Sequence, residues 1–338
     1  MLEKNIKYFR LQRGLTQEAL GKKIGITKMA ISQYEKGTRN PSYEVIQKIC
    51  KALDVPLGTF MSYTEGKHSI EAVAYRSGDK LSKTQKDNLD KLLRWTGNRF
   101  FELVEALGGE SQCFPVYHPL PEYNSTNKNP DYIAEQLRIA LGLPAQGPIG
   151  NLTAWLENRG FLVFYLETDI DFKGCHGKLN GREVIGVKNS LSAAVKRMTV
   201  AYELVHIFID KQLPNQREFV VENICGRFLF PAEDVKREFG GQKRSFLMQY
   251  EIESVQQEYG ISIGGIMCRA SQEKVITRRF EKEEVNKYEA AAKNQVAEET
   301  PAAFKKLACI AYAEGIFGIS KIAELLNCSY AQAADLCR

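Results

Sequence analysis

Residues 15–42 read LTQEALGKKIGITKMAISQYEKGTRNPS, and this stretch decides how the first part of the chain folds. Thr16 stands where a hydroxyl caps a helix carrying Ala19, Leu20 and Ile24, and Gly25 suits the left-handed turn that ends it. Thr27 repeats the device for a third helix, whose Ile31 and Tyr34 form an i,i+3 apolar pair. Outward from there, Ile6, Phe9 and Arg10 lie on a first helix that ends near Gly14. Beyond the loop GTRNPS (37–42), Ile46, Ile49 and Leu53 mark a fourth. Four short helices within residues 1–63 make a complete small domain.

Charge separates this domain from the rest. The chain has 338 residues and a formal net charge of +5. Residues 1–63 hold 11 Lys/Arg against 5 Asp/Glu, and the remainder holds 35 against 36. The basic excess therefore lies in the first fifth of the chain. A capped helix after a tight turn offers its N-terminal residues to a major groove, while the helix before it crosses the phosphate backbone.

With its capping threonines, turn glycine and YEKGTRNPS closure, residues 1 to about 60 resemble the lambda-repressor-like (XRE) helix-turn-helix family. The resemblance implies a sequence-specific regulator of the repressor type, acting as a homodimer on double-stranded operator DNA. It places Thr27, Lys28, Met29, Ser32 and Gln33 at base edges. Lys28 would donate to guanine O6 and N7, and Gln33 would pair with adenine. Gln17, Lys36, Arg39 and Asn40 would contact phosphates.

Composition excludes several other classes. Hydrophobic residues make up 44% and charged residues 26%, which rules out a largely disordered or collagen-like chain. Eight cysteines, at 50, 113, 175, 225, 268, 309, 328 and 337, include no CxxC pair. They read as reduced, mostly buried thiols of a cytoplasmic protein. No apolar run reaches membrane-spanning length, and the opening MLEKNIKYFR lacks the apolar stretch of a signal peptide.

Residues 64–125 read as a linker and a long scaffold helix, on which Leu89, Leu92, Leu93, Phe100, Phe101 and Val104 recur with helical period. The Pro- and Asn-rich stretch 113–130 marks a boundary. A helix around Ile133–Leu141 and a second ending at Gly160 follow. FLVFYL (161–166) is a buried strand, and GREVIGV a second strand after the NGR turn. Helical periodicity runs from Ala193 to Phe239 and returns in the tail, interrupted by the charged, alanine-rich stretch 281–300.

Residues 196–210, KRMTVAYELVHIFID, resemble the signature helix of the ImmA/IrrE metallopeptidase family, whose motif is H-E-x-x-H. In that motif two histidines one turn apart bind zinc and the glutamate is general base. Here the glutamate is Glu203 and the second histidine His206, but the first position is Tyr202. Val205 replaces the glycine often seen before the second histidine. A neutral phenol is a poor zinc ligand, and ionising it at pH 7 costs about 4 kcal/mol. DFKGCHGKLNGREVIGVKN (171–189) resembles the family's two-stranded segment, and REFVVENICGRFLFP (217–231) its next helix. Depending on alignment, Glu218 or Glu222 is the acidic ligand; both share one helical face. YGISIGGIMCRASQEKVIT (259–277) continues the likeness, which covers roughly residues 130–280.

His176 reads as a polar strand-edge residue. Without metal, Tyr202, Glu203, His206 and a glutamate would form a hydrogen-bonded network. The resemblance thus implies a degenerate site, with no cofactor or weakly bound zinc. An active zinc peptidase with Glu203 as base is the alternative. Residues 301–336 resemble the C-terminal segment of proteins that join these two domains and are often encoded beside toxin–antitoxin or mobile-element genes. A third reading is therefore an antitoxin that represses its own operator and buries a toxin partner. In ISKIAELLNCSYAQ (319–332), Ile319, Ile322, Ala323 and Leu326 share a face and Asn327 sits at a turn, with no basic cluster following. That favours a packing or dimerisation element.

These readings give a mainly α chain: a four- or five-helix lambda-repressor-like domain (1–63), the linker and scaffold helix (64–125), an α+β zincin-like domain with a small sheet (126–280), and a helical C-terminal element (281–338).

Overall fold

The computed structural model describes residues 2–55, 57–62, 70–76, 81–214, 216, 218–240, 243–244, 247–276, 285, 288 and 296–338. The stretch 281–300 lies largely outside them, as does His68.

Five helices open the chain: α1 (Leu2–Gln12), α2 (Gln17–Ile24), α3 (Lys28–Glu35), α4 (Tyr43–Leu53) and α5 (Leu57–Ser62). Thr16, Thr27 and Ser42 accept from Ala19, Ala30 and Val45 backbone N–H groups, so three of the five start on a side-chain cap. Gly25 ends α2 at φ +75°, a conformation open to glycine at little cost.

Strand β1 (Ile70–Arg76), α6 (Lys83–Ala106) and α7 (Glu110–Cys113) follow, then α8 (Pro130–Leu141) and α9 (Leu152–Asn158). Strands β2 (Leu162–Leu166), β3 (Gly174–Leu179) and β4 (Arg182–Lys188) lead into α10 (Ala193–Ile209). Next come α11 (Glu218–Leu229), α12 (Ala232–Phe239), α13 (Gln249–Tyr259) and α14 (Ile263–Gln272). The tail folds as α15 (Ala303–Ala313), α16 (Ile319–Leu326) and α17 (Tyr330–Leu336).

The sheet has the order β1-β3-β4-β2, with β2 parallel to β4 and the other pairs antiparallel. This corrects the reading of residues 64–125 as linker and helix alone, because Ile70–Arg76 is a strand paired with β3. Its partner lies about a hundred residues away, so no local pattern announces it. At Gly177 of β3 a side chain would press on Val73 and the Glu71 carbonyl, where the β1 register shifts; glycine lets the strands approach.

Alternation along β2 and β4 sends side chains to two cores. Val163 and Ile185 join α8, α10, α11 and the helices after them. Leu162, Val184 and Leu179 join α6, the five N-terminal helices and the tail. Phe9 meets Trp95 edge to face at 5.4 Å and Phe60 at 5.6 Å, fastening α1 and α5 to the scaffold helix. The tail packs on α5 and α6, as expected of a packing element.

Helix α6 reaches the sheet at Gly97, where an added Cβ would stand 2.0 Å from Leu179 Cδ2. Gly97→Ala should therefore cost about 1–3 kcal/mol by overpacking, although alanine is the better helix former. Urea unfolding will measure it. Adding Leu179→Ala should make the pair less destabilising than the sum of the two single changes, and strict additivity would refute this close contact.

Candidate functional site

Two groups of residues carry the chemistry. The first is the outer face of α2 and α3. Ala30, Ile31 and Tyr34 turn inward, which leaves Thr27, Lys28 and Met29 exposed at the start of α3, with Met29 71% accessible. Ser32 and Gln33 are half-buried on the same helix, while Lys36, Arg39 and Asn40 are exposed after it. The Arg39 guanidinium lies 5.8 Å from the Tyr34 ring centre, and Thr38 donates to the Gln33 carbonyl at 3.2 Å. Those contacts tie the closing loop to the end of α3.

Beneath that face Arg10 grips Glu35 through both arms, Nε to Oε1 at 2.5 Å and Nη2 to Oε2 at 2.9 Å. Gln17 Nε2 adds a bond to Glu35 Oε2 at 2.8 Å. Gln17 is thus half-buried and spends one amide hydrogen on the core, a role the sequence reading did not give it. Arg10 and Glu35 stand 25 residues apart, so nothing local in the sequence links them.

The second group surrounds α10. Glu203 is 1% exposed, and its Oε2 lies 2.7 Å from His176 Nδ1 while Oε1 has no hydrogen-bond partner. His176 is on β3, an interior strand flanked by β1 and β4, so the strand-edge reading is corrected. Burial by itself lowers the His176 pKa, but the hydrogen bond and charge of Glu203, with Asp210 and Glu183 farther away, outweigh it and the net direction is up. The His176 and His206 rings stack at 5.9 Å, and His206 Nδ1 sits 2.8 Å from Asp210 Oδ1.

Arg76, the last residue of β1, completes the centre. Its guanidinium carbon stands 3.9 Å over the Tyr202 ring. Nη2 reaches Glu222 at 2.6 Å and Nε reaches Glu218 at 3.4 Å. Both carboxylates named as acidic ligands thus face one cation. Burial pushes the Tyr202 phenol up to about 12 against the pull of Arg76, so it stays neutral at physiological pH. The expected single network of Tyr202, Glu203, His206 and a glutamate is replaced by three separate sets, Glu203 with His176, His206 with Asp210, and Glu218 and Glu222 with Arg76, while Tyr202 is held by a cation–π contact. Beside Glu222 lies a cavity of about 270 Å³ lined by Met198, Phe219, Gly226, Leu229 and Ile261.

The thiols divide: Cys50, Cys175 and Cys225 are buried, Cys268 is exposed and the other four are intermediate, so "mostly buried" overstates it. Burial pushes Cys175 and Cys225 upward, away from thiolate chemistry.

The family model described as Helix-turn-helix matches residues 6–60. The transcriptional regulator MJ0272 of Methanocaldococcus jannaschii is 34% identical over 64 residues, which is 19% of this chain and 97% of that protein. The chain belongs to the helix-turn-helix family. The cryptic phage CTXphi transcriptional repressor RstR of Vibrio cholerae is 35% identical over 65 residues, 19% of this chain and 59% of the relative. The antitoxin PezA of Streptococcus pneumoniae is 40% identical over 55 residues, 16% of this chain and 35% of the relative. The chain thus spans only part of the length of these last two, between about a third and three fifths. No solved structure matches.

The Arg10–Glu35 pair yields a sharp expectation for this helix-turn-helix domain. Arg10→Met leaves a nearly buried carboxylate unpaired and should cost about 3–5 kcal/mol in urea unfolding. Arg10→Met with Glu35→Leu should recover most of that loss. A double variant as unstable as the single one would show that packing, not charge, carries the contact.

Proposed function

We propose that the protein is an operator-binding transcriptional regulator of the repressor type, with a peptidase-like body that senses a signal or holds a partner. The observation that carries this reading is the exposed, capped start of α3, where Thr27, Lys28 and Met29 stand clear of the core in the basic part of the chain. In this reading Lys28 and Gln33 read bases with Thr27, Met29 and Ser32 alongside. Gln17, Lys36, Arg39 and Asn40 hold phosphates. The protein acts in the cytoplasm as a homodimer on two half-sites.

Operator binding, measured against sequences selected from a random DNA pool, tests the assignment. Lys28→Ala and Gln33→Ala should each cost about 1–3 kcal/mol on the selected sequence and relax its preference. Arg39→Ala should weaken all sequences alike and lower the salt dependence by about one ion. Preference left intact by the Lys28 and Gln33 variants would overturn the base contacts.

For residues 126–280 we infer a zincin-like scaffold of the ImmA/IrrE type whose centre is closed by Arg76. Zinc does not suit this donor set. Glu218 and Glu222 already neutralise a guanidinium, and Tyr202 is a protonated phenol, which leaves His206 alone among the four candidates. Glu203 then serves His176 as an ion-pair partner rather than as a base. Metal content per chain, measured by mass spectrometry on protein purified without chelator, should be far below one zinc in the native protein. Tyr202→His combined with Arg76→Ala should raise it. Near-stoichiometric zinc in the native chain would restore the active-peptidase alternative, and Glu203→Gln would then have to abolish cleavage.

The likeness to an antitoxin favours a second reading, in which the protein represses its own operator and buries a toxin against its C-terminal two thirds. Co-expression with the product of the neighbouring gene, followed by size-exclusion chromatography, separates the two.

A further inference from the structure

We propose that the protein binds a small amphipathic anion in the cavity between the DNA-binding domain and the body, with Arg99 of α6 as its anchor. The cavity holds about 480 Å³, within the range of small-molecule sites. One wall comes from α1 and the residue after the α4 turn, through Phe9, Arg13 and Val55. The others come from α6, β2 and the tail.

Of the two arginines that line the cavity, Arg13 meets Asp54 and the Leu53 carbonyl, whereas Arg99 has no such ion pair among the described residues. Arg10, Arg76, Arg182, Arg197 and Arg269 are all buried, and each meets a carboxylate. Arg138 is saturated by the carbonyls of Phe228, Pro144 and Gly147. Arg99 has a single acceptor, the Leu325 carbonyl at 2.7 Å from Nη1, while its Nε is buried without a partner. Its guanidinium lies 3.7 Å over the Trp95 ring and 5.8 Å from that of Phe304. Glu324, which acts on it electrostatically, is held by Lys321 at 2.8 Å. Arg99 is half-buried with its Nε shut off from water and unbonded, and a bidentate carboxylate or phosphate is the group that fits a fork so sparsely bonded.

The rest of the lining sorts in the same direction. Lys305 adds positive charge, as does Arg13, 3.5 Å from the exposed Asp54, and the one lining carboxylate among the described residues, Glu167, is bonded by Asn189. Asn327 Oδ1 is a second buried polar atom without a partner, an acceptor for an N–H or O–H of the ligand. Phe9, Trp95, Phe304 and Leu336 offer a ring or alkyl body an apolar bed. A ligand bridging these walls would fix the DNA-binding domain against the body and so alter operator affinity; this regulatory half rests on the operator-binding reading, and the binding half does not.

The chain has two tryptophans, and Trp155→Phe leaves Trp95 as the sole reporter. Titrating that full-length variant with octanoate and with adenosine monophosphate should give a saturable change in Trp95 emission with at least one of them, at one site per chain. Arg99→Met, which keeps the stem, should weaken that probe by about tenfold or more. Leu336→Glu, at a partly exposed position, should do the same by repelling the anion, and it keeps the test decisive if Arg99→Met does not fold. No saturable change with either probe, or an affinity that both charge variants leave unaltered, overturns the site. On DNA selected by the full chain, the bound probe should shift operator affinity about fivefold or more. An unshifted affinity with the probe bound overturns the regulatory half. Failure to select any DNA, with probe binding intact, counts against the operator reading and not against the site.

Discussion

Strands β2 and β4 present apolar side chains on both faces of the sheet, and strands apolar on both faces must be covered twice. One cover is α10 with the helices around it. The other is α6, and through α6 the five N-terminal helices and the tail. From that single requirement follow the close approach at Gly97, the aromatic contacts of Phe9 and Phe60 with the scaffold, and the position of the C-terminal helices on α5 and α6. The DNA-binding domain is therefore not a bead on a string; it helps to close one of two cores.

Strand β1 strengthens the attachment. It leaves the helix-turn-helix side, pairs with β3, and ends in a residue whose charge is spent at the α10–α11 centre. A stretch that connects two domains in sequence is thus part of the chemistry of the second one. Arg76 also settles the charge balance beside α10, where it faces Glu218 and Glu222 and covers the Tyr202 ring. Repulsion between Glu218 and Glu222 is relieved by a guanidinium, while Glu203 is stabilised by a histidine whose pKa it raises.

Much of the N-terminal domain was legible because its signals are local. Capping threonines, the αL glycine and i,i+3 apolar pairs act within one turn of the chain, and the structure places Thr16, Gly25, Thr27 and Ile31 accordingly. Strand β4 was legible for the same reason, whereas β3 was offered only by the family resemblance and the helical run from Ala193 to Phe239 is three helices, α10 to α12. What was hidden is non-local. Arg76 and Glu218 are 142 residues apart, so the cation at the centre leaves no trace in either motif. His176 read as an edge residue because the strand that covers β3 comes from a polar connecting stretch. Gln17 read as a phosphate contact alone because its bond to Glu35 exists only after α2 and α3 have packed.

The core that begins at Ile6 includes Ala333. Helices α15 to α17 supply Leu307, Ala308, Ala311, Ile322 and Leu325 to the same cluster that holds Phe9 and Phe60. Local turns of the first domain can form as soon as they are synthesised, but contacts of such long sequence separation form late. The apolar surface of α5 and α6 that the tail covers thus stays bare on the ribosome until about two hundred residues beyond α6 have been made. For a chain of this topology, the interval between making the DNA-reading helices and burying their support is set by the rate of translation.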